Sequence, residues 1–255
     1  MDVLVRRGFQ LLRRFIARRI AMKNSSERVV EPELLDELPP QDRRARRSRL
    51  DLRRLNTWMN HPRSMARALS KNLGRAASPH IVEIGAGDGH FLLRVIRRLR
   101  HRPGGKVTLV DRLDAFDPNI KECFKELGWR ARTEIATVSE WLAQSPPDSA
   151  DAIVSNLFLH QFKMDELTEM LRISARCARV FVALEPRRTW LPHLCRHLLW
   201  AIGCNSVTRH DAGISIRAGF SGREISTLWP EQGKWELTER SIGLFSHLFI
   251  AQRAD

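Results

Sequence analysis

The chain has 255 residues, 43% of them hydrophobic, and a formal net charge of +14. That length suits one α/β core with an appended segment, and no apolar run approaches the roughly eighteen residues needed to cross a bilayer. Its four cysteines, Cys123, Cys177, Cys195 and Cys204, form neither a C-x-x-C pair nor a regular spacing, so no disulfide framework, zinc site or other metal is expected, and a reducing cytoplasm fits best.

The basic surplus sits mainly in the N-terminal third: Arg6, Arg7, Arg13, Arg14, Arg18, Arg19 and Lys23 crowd the start, and residues 43–54 hold another seven arginines. Such a balance favours a polyanionic partner, nucleic acid or an anionic membrane, although arginine richness also follows from a GC-rich genome. Val5, Phe9, Leu12, Ile16 and Ile20 recur at helical spacing, so residues 1–23 read as a basic amphipathic helix. It would either contact a membrane surface peripherally through residues 1–22 or pack on its own domain. Residues 24–42, with Pro32, Pro39 and Pro40, read as a linker carrying one short helix near 33–38. Over 43–78, Leu50, Leu52, Leu55, Trp58 and Met59 suggest a helical lid on the next domain, closed off by Gly74 and Ser78-Pro79.

From residue 79 to 255 strand and helix alternate in the rhythm of a parallel sheet. Strands are predicted at 80–84, 106–111, 130–136, 151–156 and 179–185, and helices at 88–101, 117–127, 138–144 and 164–177. Further helices follow at 190–203 and 221–229, then a hairpin over 235–241 and 244–252 turning at Gly243. The class is a doubly wound, mostly parallel α/β sheet that finishes antiparallel.

Chemistry enters at the first strand. His80-Ile81-Val82-Glu83-Ile84-Gly85-Ala86-Gly87-Asp88-Gly89 runs from an apolar strand into a Gly-rich turn and a helix, where a nucleotide approaches the backbone closely. A dinucleotide fingerprint would carry a glycine where His90 stands. Asp88 would also repel a pyrophosphate, whereas the methionine part of S-adenosyl-L-methionine brings an ammonium and a sulfonium and no phosphate. Asp111 ends the second strand about twenty positions on, where a carboxylate accepts ribose hydroxyls. Taken alone, it would be an ordinary strand-end Asp capping a turn. Arg112 beside it is the one hint of a phosphorylated ribose.

Through Glu83-Ile84-Gly85-Ala86-Gly87-Asp88-Gly89, Asp111 and Asn156-Leu157-Phe158-Leu159-His160 the chain resembles the class I S-adenosylmethionine-dependent methyltransferases over residues 79–252. The resemblance implies seven strands, the last antiparallel, and the same donor, held by Glu83, the 85–89 loop, Asp111, Arg112, Thr137, Asn156 and Leu157. Members of that family often place an acid after the third strand for the adenine; Ala136 and Thr137 stand there instead, and a threonine hydroxyl is a weak substitute. Asp51-Leu52-Arg53-Arg54-Leu55-Asn56, Asn156 to His160, Arg209-His210-Asp211, Ile216 to Phe220 and Phe245 to Phe249 look like bacterial methyltransferases that accompany type III polyketide synthases. That closer likeness implies a small phenolic or polyketide-derived acceptor, methylation at oxygen, and a place in secondary metabolism.

The loop after Asn156 lacks the paired prolines and aromatic common in amino-methylating enzymes of nucleic acids, and lacks a cysteine nucleophile, so an RNA methyltransferase is the less favoured alternative. A non-catalytic scaffold docking through residues 1–22 is the other. His160 and His210 are the candidate bases for a hydroxyl acceptor. Asp211 is expected to face solvent, Glu185 to reach substrate at the rim, and Arg187 and Arg188 to be surface charge or to hold an acidic group. Residues 190–230, with Trp190, Trp200, Phe220 and Trp229, form the expected specificity insertion.

Overall fold

A computed structural model describes residues 27–74, 78–99, 104–188 and 198–254. The basic helix expected over 1–23 and most of the helix expected over 190–203 lie outside them. Seven strands, β1 (His80–Ile84), β2 (Lys106–Asp111), β3 (Arg130–Ile135), β4 (Ala150–Asn156), β5 (Ala178–Pro186), β6 (Trp235–Ile242) and β7 (Ser246–Arg253), form one sheet in the order β3-β2-β1-β4-β5-β7-β6. The first five are parallel, and β7 runs antiparallel to both β5 and β6. Chain order reverses between β1 and β4, so a crevice opens at their carboxyl ends.

Helices α4 (His90–Ile96), α5 (Ile120–Lys125), α6 (Val138–Gln144) and α7 (Met164–Cys177) connect these strands. Because both faces are covered, β1 is apolar nearly throughout: Ile81 packs into one core with Leu92, Leu109 and Phe124, while Val82 and Ile84 enter the other with Leu142, Leu171 and Phe181. The helix expected from residue 88 starts later, since Gly85, Gly87 and Gly89 all take positive φ and keep the turn open as far as α4.

Upstream of the sheet, α1 (Leu34–Glu37) is followed by α2 (Arg43–Trp58) and α3 (His61–Asn72). The apolar stripe expected on α2 is only partly inward, for Leu50 and Trp58 are exposed. Its buried face is polar instead: Asp51 accepts from the Asn205 backbone N–H at 2.8 Å, and the Ser48 hydroxyl reaches Asn205 Oδ1 at 3.0 Å. Asn205 caps α8 (Ser206–Ala218), a helix lying between the two segments expected to be helical at 190–203 and 221–229. The short α9 (Glu224–Leu228) replaces the longer helix expected over 221–229.

Residues 27–37 form a strap across the carboxyl edge of the sheet. Arg28 donates to the carbonyls of Ala218, His160 and Phe162 at 2.8, 3.1 and 3.2 Å and lies 4.3 Å over the Phe220 ring. The backbone N–H groups of Leu34 and Leu35 donate to the two oxygens of Asp211, both at 3.0 Å. No described helix is long and apolar enough to cross a membrane.

Candidate active site

A cavity of about 750 Å³ occupies the β1/β4 crevice, floored by Glu83, Gly85, Ala86, Gly87 and Asp88, walled by Asp111, Arg112, Thr137, Asn156 and Leu157, and roofed by the strap and α2. Eight carboxylic side chains line it against five from lysine and arginine. Each loop residue has its own reason to be there. A Cβ on Gly85 would run into the Phe158 ring, while one on Gly87 would meet nothing and project into open space. Gly89, expected to touch the cofactor, does not line the cavity; a Cβ there would sit 2.8 Å from Ile120 and 2.9 Å from Leu109, so its glycine serves helix packing.

Glu83 is 1% exposed, and its Oε2 has no hydrogen-bond partner. Burial, reinforced by the charge of Asp88, raises its pKa well above the ordinary carboxylate value. Asp111 clamps the loop: Oδ2 accepts from Gly87 N–H at 2.7 Å and Oδ1 from Leu113 N–H at 2.9 Å, and burial raises its pKa as well. Asp88 Oδ2 is ion-paired with Arg53 of α2 at 2.7 Å, which ties the roof to the loop. Arg112 reaches the strap, donating to the Asp36 carbonyl at 2.9 Å. The Thr137 hydroxyl is spent on the cap of α6, donating to Glu140 at 2.7 Å and accepting from its N–H at 3.2 Å, so it is not the free adenine partner that was expected. Leu157 takes φ +54°, a strained conformation for a branched residue and one that recurs where function constrains the backbone.

Asn156 belongs to a set that sequence reasoning missed. Its Oδ1 accepts from His61 Nδ1 at 2.8 Å, its amide donates to Asn56 at 3.1 Å, and His61 Nε2 accepts from the Ser246 hydroxyl at 2.6 Å. Burial lowers the His61 pKa to about 4, so the ring is neutral. A histidine one residue before Pro62 carries no local signal of this contact.

A smaller, apolar cavity of about 140 Å³ adjoins the first; Glu33, Leu35, Leu52 and Leu157 border both. At the junction lies a buried triad. His160 is 2% exposed, with Nδ1 on Glu185 at 2.8 Å and Nε2 on Glu33 at 3.1 Å. Burial alone would lower the imidazole pKa, but the hydrogen bonds to Glu185 and Glu33 outweigh it and raise the value to about 9. An imidazolium held between two carboxylates has no lone pair for an acceptor proton, which corrects the expectation for His160. His210 lines neither cavity, and its half-exposed ring rests 3.1 Å from Asp211. Asp211 itself is buried under the strap rather than facing solvent. Glu185 is fully buried, accepting from the N–H groups of Phe158, Leu159 and His160, and lines neither cavity. Arg188, too, is buried, donating to Gly219 O at 2.8 Å and pairing with Glu224.

Glu33, which borders both cavities, is another residue that the sequence did not single out. Burial pushes its pKa up, yet hydrogen bonds from His160, Ser215 and Gln161 and the His160 charge bring it below the ordinary value. The two histidines give stability opposite pH slopes. Between pH 6.5 and about 4 the unfolded chain binds a proton that folded His61 refuses, so stability falls with falling pH. Above pH 6.5 folded His160 keeps a proton the unfolded chain has released, so its contribution, complete below 6.5, is lost as pH rises through about 9. Denaturant midpoints should therefore peak between these limbs, with His160→Gln flattening the alkaline one and His61→Gln the acid one. An alkaline limb unchanged in His160→Gln would refute the assignment.

No family model matches the sequence. A malonyl-[acyl-carrier protein] O-methyltransferase of Paenibacillus sp. is 33% identical over 101 residues, 37% of this chain and 36% of the relative's length. An O-methyltransferase family protein from Burkholderia thailandensis is similar in structure, with a TM-score of 0.51 at 17% identity over 96% of this chain and 70% of that one. The plantazolicin methyltransferase BamL, solved with a triazolic desmethylPZN analogue and SAH, has a TM-score of 0.57 at 11% identity, covering 86% and 92%. The fold is that of the class I methyltransferases. In such a methyltransferase-fold chain the two cavities flank Leu157 at the carboxyl end of β4, where open α/β sheets bind their ligands.

Proposed function

We propose that the protein is an S-adenosylmethionine-dependent methyltransferase acting on a hydroxyl of a small aromatic or polyketide-derived molecule. The observation that carries this reading is Glu83: a buried carboxylic acid with one unpartnered oxygen, beside a Gly loop whose Gly87 leaves open space. A desolvated acid asks for a cation, and the donor's methionine end carries one. The acidic excess of the cavity lining opposes a phosphate-bearing ligand, whether nicotinamide dinucleotide or RNA.

In this reading Glu83 and the 85–88 backbone hold the ammonium end. Asp111 takes the ribose hydroxyls on the lone pairs that Gly87 and Leu113 leave free, and the backbone of 136–138 meets the adenine. When bound, the donor supplies an electrophilic methyl on sulfur. Leu157 and Phe158 fix the approach of the acceptor, and α2 with the strap keeps water out. The likeness to O-methyltransferases supports methylation at oxygen, and the apolar second cavity supports an acceptor of low polarity.

Calorimetric titration with S-adenosylmethionine and S-adenosylhomocysteine, with NADP as control, tests the donor; preference for NADP would overturn it. Glu33, bordering both cavities, is proposed to accept the hydroxyl's hydrogen bond and orient its oxygen toward the methyl group, in place of either histidine. Glu33→Gln should then lower kcat on phenolic acceptors by about 10²-fold, with donor Kd within about threefold. A kcat that stays near that of the parent would remove Glu33 from the chemistry.

A further inference from the structure

The smaller cavity opens on an unusual surface. Helix α2 carries seven arginines and a single acid, Asp51, which is buried. On its solvent side Arg43, Arg47, Leu50, Arg54 and Trp58 follow one another at helical spacing, with Leu50 48% and Trp58 61% exposed. Trp58 stacks on Phe245 with ring centroids 6.0 Å apart, and both rings line the mouth of the cavity together with Leu198. Beside them Trp200 is 69% and Leu244 74% exposed, and Arg54 donates to the carbonyl of Ile202 at 2.7 Å. Large aliphatic and indole groups interleaved with arginine, in front of an apolar cavity, lose surface to water that nothing else among the described residues covers.

We infer that this face docks on an anionic membrane and that the smaller cavity opens into the bilayer interface, from which it takes a lipophilic acceptor. Indoles belong at the headgroup level, leucines below it, and guanidinium groups pair with lipid phosphates or glycerol headgroups of negative charge. Single-stranded RNA would match the arginines and the indoles, but leaves Leu50, Leu198 and Leu244 in water, since aliphatic side chains offer no stacking face. The residues of this surface are other than those of 1–22 for which membrane contact was expected from the sequence. Docking stands without the methyltransferase reading; delivery of the acceptor rests on it.

The test uses the full chain without donor, sedimented with phosphatidylcholine vesicles containing about one third phosphatidylglycerol and with pure phosphatidylcholine vesicles. Binding is expected on the acidic vesicles, about tenfold weaker on the neutral ones, and about tenfold weaker for the combined Trp200→Ser, Leu244→Ser variant. Arg43→Glu with Arg47→Glu should erase the preference for acidic lipid. Equal binding by parent and Trp200/Leu244 variant would overturn the proposal, as would absence of vesicle binding, or loss of RNA binding without loss of vesicle binding. Unchanged S-adenosylmethionine affinity of the variant shows that it is folded. Parent protein that binds vesicles but no donor defeats the catalytic reading alone. Turnover on a vesicle-borne alkylphenol should fall in the variant while turnover on a water-soluble phenol is kept; equal loss on both defeats the delivery step.

Discussion

Replacing Glu83 by glutamine is expected to weaken S-adenosylmethionine binding about a hundredfold while leaving the melting temperature unchanged or higher. The side chain is buried and keeps its shape in the amide, so packing against the loop is retained. What disappears is the charge that the donor's ammonium would meet, a desolvated charge-assisted contact worth about 2–3 kcal/mol, or roughly two decades in Kd. Because burial raises the Glu83 pKa well above its ordinary range, the fold favours the neutral acid over the carboxylate at this position, and an amide replaces it at little cost. A cation bound beside it lowers that pKa again, so binding is coupled to loss of a proton. Titrations in buffers of different ionisation enthalpy should reveal release of a proton in the parent and none in Glu83→Gln. Affinity within threefold of the parent would show that Glu83 does not face the donor.

Replacing Glu185 by alanine should be the most damaging single change to stability. The carboxylate is fully buried and accepts four hydrogen bonds, from the N–H groups of Phe158, Leu159 and His160 and from the His160 ring. Its removal strands those donors and leaves an imidazolium beside Glu33 without its second partner. Breaking a buried pair from one side costs about 3–5 kcal/mol, which for a chain of this size lowers Tm by roughly 10 °C. Glu185→Gln retains one acceptor oxygen for Phe158 and Leu159 but turns an amide toward the His160 donors. Its loss should be smaller, and its stability should decline less steeply as pH rises toward 9, because Glu33 alone then holds the His160 proton. A Glu185→Ala protein as stable as the parent would mean that the triad contributes nothing net.

Most of the floor of the larger cavity was legible because it is local. Glu83, Gly85, Gly87 and Asp88 lie within six consecutive residues, and the turn they build needs only its own backbone conformations. Asp111 could be placed by counting from that turn to the next strand end. The polar groups around the junction of the two cavities were not legible, because they come from distant parts of the chain. Glu33 and His160 are 127 residues apart, His61 and Asn156 are 95 apart, and no periodicity links them. His210, expected as a candidate base, stays outside both cavities, and Asp211, expected to face solvent, anchors the strap from α8.

The alternation of apolar strands and amphipathic helices was by itself enough to determine the seven-stranded doubly wound sheet, since a strand such as β1, apolar on both faces, is stable only when layers cover both sides. The Gly-rich turn and the acidic strand end likewise determined where the crevice forms. Only the tertiary structure decided which polar groups lose their water. Burial made His160 an imidazolium between two carboxylates and His61 neutral, turned the inner face of α2 into a hydrogen-bonded surface around Asp51, and left Trp58 and Leu50 outside. Those outcomes depend on desolvation and on partners far away in the chain, quantities that a linear pattern of residue types does not contain.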